Sequence, residues 1–77
     1  MTTEMLKLVL RSFNRRRPFL PFLIDFNSGD RVLVTHPEAI DQVDEFFVHR
    51  APNRVRRVFV GSSVCQLLDA TVPSPAS

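Results

Sequence analysis

With 77 residues and a net charge of +2, the chain has room for one domain. A body of that size buries only about 60% of the surface its unfolded chain exposes, so a disulfide, a metal or a partner subunit is the usual supplement. A single cysteine, Cys65, excludes an intrachain disulfide and any zinc site built on paired thiolates, which leaves association as the open route.

The first element is a helix over Thr2 to Phe13. Met5, Leu6, Val9, Leu10 and Phe13 recur with helical period. Thr2 or Thr3 can cap its start, and Glu4 sits where the helix dipole favours negative charge. Pro18 stops it and biases Arg17 towards extended geometry. From Pro21 the period becomes two. Phe22, Ile24 and Phe26 share one face, and Leu23 and Asp25 the other. Asn27-Ser28-Gly29-Asp30 reads as a tight turn, with Gly29 available for positive φ. Arg31 to His36 is a second strand, so the pair forms a hairpin.

His36-Pro37-Glu38-Ala39-Ile40 breaks that strand as a turn or 3₁₀ segment. An acidic connection containing Asp41, Asp44 and Glu45 follows and reads as a loop. Phe46 to Arg50 is a third strand, Ala51-Pro52-Asn53 a turn, and Arg54 to Val60 a fourth strand. Gly61-Ser62-Ser63 interrupts it. Gln66 to Val72 fits either a fifth short strand or a helical turn. The domain is thus expected over residues 1–72, and the Pro/Ser-rich residues 73–77 read as a disordered tail.

The expected fold is α+β and mostly β: an N-terminal helix followed by a bent antiparallel meander of about five short strands. Such a meander can close into a small SH3/Sm-like barrel and remove its edges; a flat sheet with one helix is the competing arrangement. Leu23, Leu33 and Phe47 oppose the main apolar set, which suits a helix or a second subunit packed on the outer face.

Pro18-Phe19-Leu20-Pro21-Phe22-Leu23-Ile24, then Ser28-Gly29-Asp30-Arg31, then His36-Pro37-Glu38, resembles a group of short bacterial proteins. These carry a Pro-Phe-x-Pro-Phe entry, a Gly hairpin and a His-Pro-Glu step. The resemblance covers roughly residues 4 to 40, continues weakly to Leu68, and implies a helix-then-meander layout without an activity. The basic stretch Arg50 to Arg57 departs from it. In order of elements the chain is also similar to Sm-like RNA-binding barrels, although their short uridine-binding motifs are not evident. Layout alone carries no function.

Chemistry-bearing constellations are few. Cys65, among Val64, Leu67 and Leu68, reads as a small buried apolar residue. Gly61-Ser62-Ser63 lacks the G-x-S-x-G elbow and reads as a bulge or turn. His36, Glu38, Asp41, Asp44, Glu45 and His49 form the one group with metal-ligating side chains, at a spacing that matches no closed site. Two glycines cannot make a phosphate loop. The expectation is therefore a non-enzyme with no catalytic residues, no metal, no cofactor and no small-molecule substrate.

Charge is more informative. Residues 1–17 carry a net +4, residues 18–49 a net −5, and residues 50–57 a net +4. Nine of the ten basic residues are arginine, whose planar fork suits phosphate and carboxylate alike. Arg15, Arg16, Arg17, Arg54, Arg56 and Arg57 are the candidate contacts to nucleic acid or to an acidic partner. Arg56 and Arg57 are adjacent, so a regular strand sends them to opposite faces. Phe13 and Phe59 have the phase of core residues. Two functions follow as expectations. The first is a self-associating interaction module or assembly subunit, with itself or another protein as partner. The second is an RNA- or DNA-binding module. The single thiol, the absence of an export signal and the absence of a membrane-spanning apolar run place the chain in the cytoplasm, away from membranes.

Overall fold

The computed structural model describes residues 1–51 and 53–70. Their elements run α1 (Thr3–Asn14), β1 (Phe22–Phe26), β2 (Arg31–Val34), β3 (Ile40–Val43), β4 (Phe46–Arg50), β5 (Arg56–Val60), a 3₁₀ turn (Gly61–Ser63) and β6 (Val64–Asp69). The fold is α+β and mostly β, as the periodicity predicts. The expected tail (73–77), the end of the last expected segment (71–72) and Pro52 of the expected turn lie outside the described residues.

Helix α1 begins where Thr2 caps it: the Thr2 hydroxyl accepts a hydrogen bond from the Met5 amide at 3.1 Å. Leu6 and Leu10 are buried and Phe13 is half-buried, an i, i+4, i+7 stripe that faces the strands. Met5, assigned to that stripe by period, is more than half exposed instead. It lies nearly a quarter-turn off the Leu6–Leu10–Phe13 line, beside exposed Leu8. The helix ends at Asn14, and the chain turns through a cis Arg17–Pro18 peptide into β1.

The strands form two antiparallel three-stranded sheets, β2-β1-β6 and β3-β4-β5. No ladder joins them among the described residues, so the expected single meander is two small sheets packed together. The first hairpin is as expected, with Gly29 at φ +93° in its turn. Two elements differ. The acidic connection contains a strand: Ile40–Val43 pairs antiparallel with β4 in register Ile40↔His49 to Val43↔Phe46. The polar composition of Ile40–Val43 hid that strand, because only Ile40 of its four residues is even partly buried. The ambiguous last segment is strand β6, paired antiparallel with β1.

The core lies between the sheets and under the helix. Phe22, Ile24, Val34, Phe47 and Val64 are almost fully buried there, with Phe26 and Phe59 close behind. Phe13 meets Phe22 at 4.8 Å between ring centroids, Phe26 meets Phe59 edge-on at 5.0 Å, and Phe47 stacks on Phe59 at 5.7 Å. Phe13 and Phe59 therefore pack as their phase predicts. Phe47 corrects the expectation that it opposes the main set. It points inward, and its neighbour Phe46 takes the outward position.

Candidate functional site: charged clamps, two basic hollows and an apolar sheet face

Arg57 shows how the fold uses a charge that sequence alone cannot place. In β5, Arg57 and Phe59 alternate inward while Arg56 and Val58 point outward. The Arg57 guanidinium lies 4.2 Å over the Phe26 ring and binds the Asp30 carboxylate at 3.0 Å. That bond, with help from Ser28, holds the Asp30 carboxyl below its ordinary pKa. Arg16 is held the same way at the other end of the fold. It lies 4.5 Å over Phe13, pairs with Asp69, and donates to the Leu20 carbonyl at 2.8 Å. Each clamp ties two elements: β5 to the first hairpin, and the helix end to β6.

The remaining candidates meet no carboxylate among the described residues. Arg17 donates only to the Asn14 and Arg16 carbonyls. Arg15, Arg54 and Arg56 are exposed. The structure thus divides the six: Arg16 and Arg57 are internal clamps, and Arg15, Arg17, Arg54 and Arg56 face solvent. Arg54 and Arg56 join Arg50 around a hollow of about 310 Å³ beyond the β4–β5 turn, where Arg54 adopts φ +69°. Arg50 also pairs with Asp41. Arg15 belongs elsewhere, in a groove between α1 and the second sheet. Ile40 of that groove points inward beside His49, whereas Arg50 and Arg56 form an outward-facing pair. The two basic hollows therefore stand on opposite faces of one sheet.

The groove also holds Lys7 and Arg11, which belong to the first basic block but not to the six candidate contacts. Lys7, Arg11 and Arg15 stand at i, i+4 and i+8, one above another on α1, over a floor of Leu10, Ile40 and Phe47. Its volume is about 310 Å³. The four-residue spacing is legible in the sequence; the part of the apolar floor supplied by β3 and β4 is not.

Another feature the sequence reading placed only in part is the outward face of the second sheet. Register puts Val43, Phe46 and Val60 in one row and Asp41, Val48 and Val58 in the next. Val43, Phe46 and Val58 are 56%, 51% and 61% exposed. Arg50 and Arg56 close the row beyond. β5 is the edge of this sheet and pairs only with β4 among the described residues. The first sheet carries a smaller outward row of Leu33, Leu23 and Leu68.

Cys65 corrects another expectation, because it is exposed. β6 skips a residue against β1: Val64 pairs with Phe26 and Gln66 with Asp25, so Cys65 is the extra residue of a bulge. Gln66 and Arg31 both bind Asp25, at 2.9 and 2.6 Å, and hold its carboxyl below the ordinary range, Arg31 most strongly.

His49 is buried, facing the first sheet. Burial lowers its pKa, the Arg57 charge lowers it further, and a backbone hydrogen bond with Leu33 opposes both. Among the described residues, no three His, Cys, Asp or Glu side chains converge to hold a metal ion. No helix in them is long and apolar enough to cross a membrane. Comparison with protein-family models, curated proteins and solved structures found no match to this chain.

Proposed function

We propose that this chain is a non-enzymatic module that assembles with copies of itself. The observation that carries the reading is the exposed valine and phenylalanine face of the second sheet, beside the edge of β5, which among the described residues pairs with β4 alone. Exposed apolar surface in a contiguous patch favours association, and an open strand edge is a template for pairing. Two β5 edges can meet antiparallel about a two-fold axis through Val58. Arg56 then stands opposite Val60 of the other copy, and Arg57 opposite its Phe59. The two Arg56 side chains lie about 14 Å apart along the strands, four residues at about 3.4 Å each, so like charges do not face each other. Pairing joins the two sheets into six strands and merges their apolar faces.

Size-exclusion chromatography with light scattering tests the reading. The expected mass is that of a dimer or larger. Val58→Lys, at a side chain already 61% exposed, is expected to reduce it to the monomer without unfolding the chain. A monomer at high concentration for the unmodified chain ends the reading.

Nucleic-acid contact is a second reading, supported by one observation: Arg50, Arg54 and Arg56 surround a shared hollow, and two of them meet no carboxylate among the described residues. An arginine-lined concavity suits a phosphate backbone. Among the described residues no aromatic side chain lines that hollow, so base stacking finds no platform in them.

A further inference from the structure

We propose that the groove along α1 receives the β3–β4 tip of another copy, a head-to-tail contact separate from the β5 edge. The inference rests on the self-association reading and names a second interface within it.

The groove sets the requirement. Lys7, Arg11 and Arg15 rise along the helix at steps of about 6 Å, four residues at 1.5 Å each. Arg11 and Arg15 meet no carboxylate among the described residues, and Lys7 touches only exposed Glu4, at 3.4 Å. Leu10, Ile40 and Phe47 form the floor, and the Asn14 side-chain oxygen is buried without a hydrogen-bond partner. An occupant must bring negative charge to the rim and can lay an apolar side chain on Ile40, the partly open residue of a floor whose Leu10 and Phe47 are already buried.

The tip of the β3–β4 hairpin has that composition. Val43-Asp44-Glu45-Phe46 sets two carboxylates between two apolar side chains that are each more than half exposed. Asp44 takes φ +54° in the turn, and neither Asp44 nor Glu45 forms an ion pair among the described residues. Tip and groove match in charge and in polarity, and they belong to the same chain.

They also sit apart. Glu45 shares a hollow with Met1, Thr2 and Thr3, at the start of α1, whereas the groove is centred on Arg11, about 12 Å further along the helix. Set head to tail, without a reciprocal exchange between the same two copies, the contact is heterologous, and each copy then offers a free tip or a free groove to the next. Combined with the two-fold pairing of β5, it carries assembly beyond the dimer. The charges are exposed and so are screened by salt.

Light scattering on the full chain at low salt decides the matter, with a tip variant (Asp44→Asn with Glu45→Gln), a groove variant (Arg11→Ser with Arg15→Ser), and the two mixed. The expected result is a species heavier than a dimer for the unmodified chain and a dimer for each variant. Mixing should regain the heavier species, because each variant supplies the half the other lacks. High salt should reduce the unmodified chain to the dimer. An unmodified chain that stops at the dimer, or variants as heavy as it is, overturns the tip–groove contact and leaves the β5 reading standing. An unmodified monomer overturns both. Binding of an oligoribonucleotide that is lost in the groove variant, with mass unchanged in every variant, assigns the groove to a polyanion and also overturns the proposal.

Discussion

His49 is the residue whose burial has the clearest consequence. Its ring stands inside the second sheet, where desolvation first and the Arg57 charge second disfavour the protonated form. The unfolded chain releases that restraint and binds a proton more readily. Stability from this group is therefore complete above the ordinary histidine value of about 6.5 and is lost as pH falls through the lowered folded value. Thermal unfolding followed between pH 7.5 and 5 should show a falling midpoint, and His49→Gln should flatten the slope over that window. An unchanged slope in the variant would assign the pH dependence to other groups. Asp25 and Asp30 act in a lower window. Their depressed folded values keep their contribution intact above the ordinary carboxylate range and lose it below.

At the scale of elements, the 3₁₀ turn passes close against the start of α1. A Cβ built on Gly61 would lie 3.0 Å from the Thr3 amide nitrogen and 3.1 Å from the Met1 carbonyl oxygen. Both are backbone atoms and cannot move aside as a side chain would. The Met1 amino group also donates to the Val64 carbonyl at 2.8 Å, so helix start, turn and β6 form one joint. Gly61→Ala should cost about 1–3 kcal/mol, the usual range for overpacking a filled site, as read by urea denaturation. Gly29 answers to a different constraint. Space around it is open, and only its positive φ resists a side chain. The Gly61-Ser62-Ser63 interruption was legible as a break in a strand. Its role as the seat of the helix was not, because the seat is made by residues 60 positions away in sequence.

At the scale of the whole molecule, charge is divided between faces. Arg16 and Arg57 bind Asp69 and Asp30, and Arg50 binds Asp41, so part of the basic blocks is neutralised by acids from other segments. That division gives the nucleic-acid reading a quantitative test. If only Arg15, Arg17, Arg54 and Arg56 met phosphates of a single strand, log K should fall with log salt at a slope of about −3, from roughly 0.7 per contact. All six candidates would give about −4 by the same rule. Filter binding or fluorescence anisotropy across a salt series distinguishes the two, and no binding at low salt removes the reading altogether.

Residue order alone determined the helix stripe, the first hairpin and its glycine turn, the inward set Phe22-Ile24-Phe26, and the opposite facing of Arg56 and Arg57. Each follows from a local period of 3.6 or 2 or from a local turn preference, and neighbours along the chain suffice to read it. Tertiary structure decided the rest: that Ile40–Val43 is a strand, that Phe47 rather than Phe46 enters the core, that Cys65 is turned out by a bulge, and which arginines meet an acid. Those outcomes depend on pairing register and on groups far apart in sequence. A shift of one residue in register exchanges the two faces of a strand, and no local pattern fixes it.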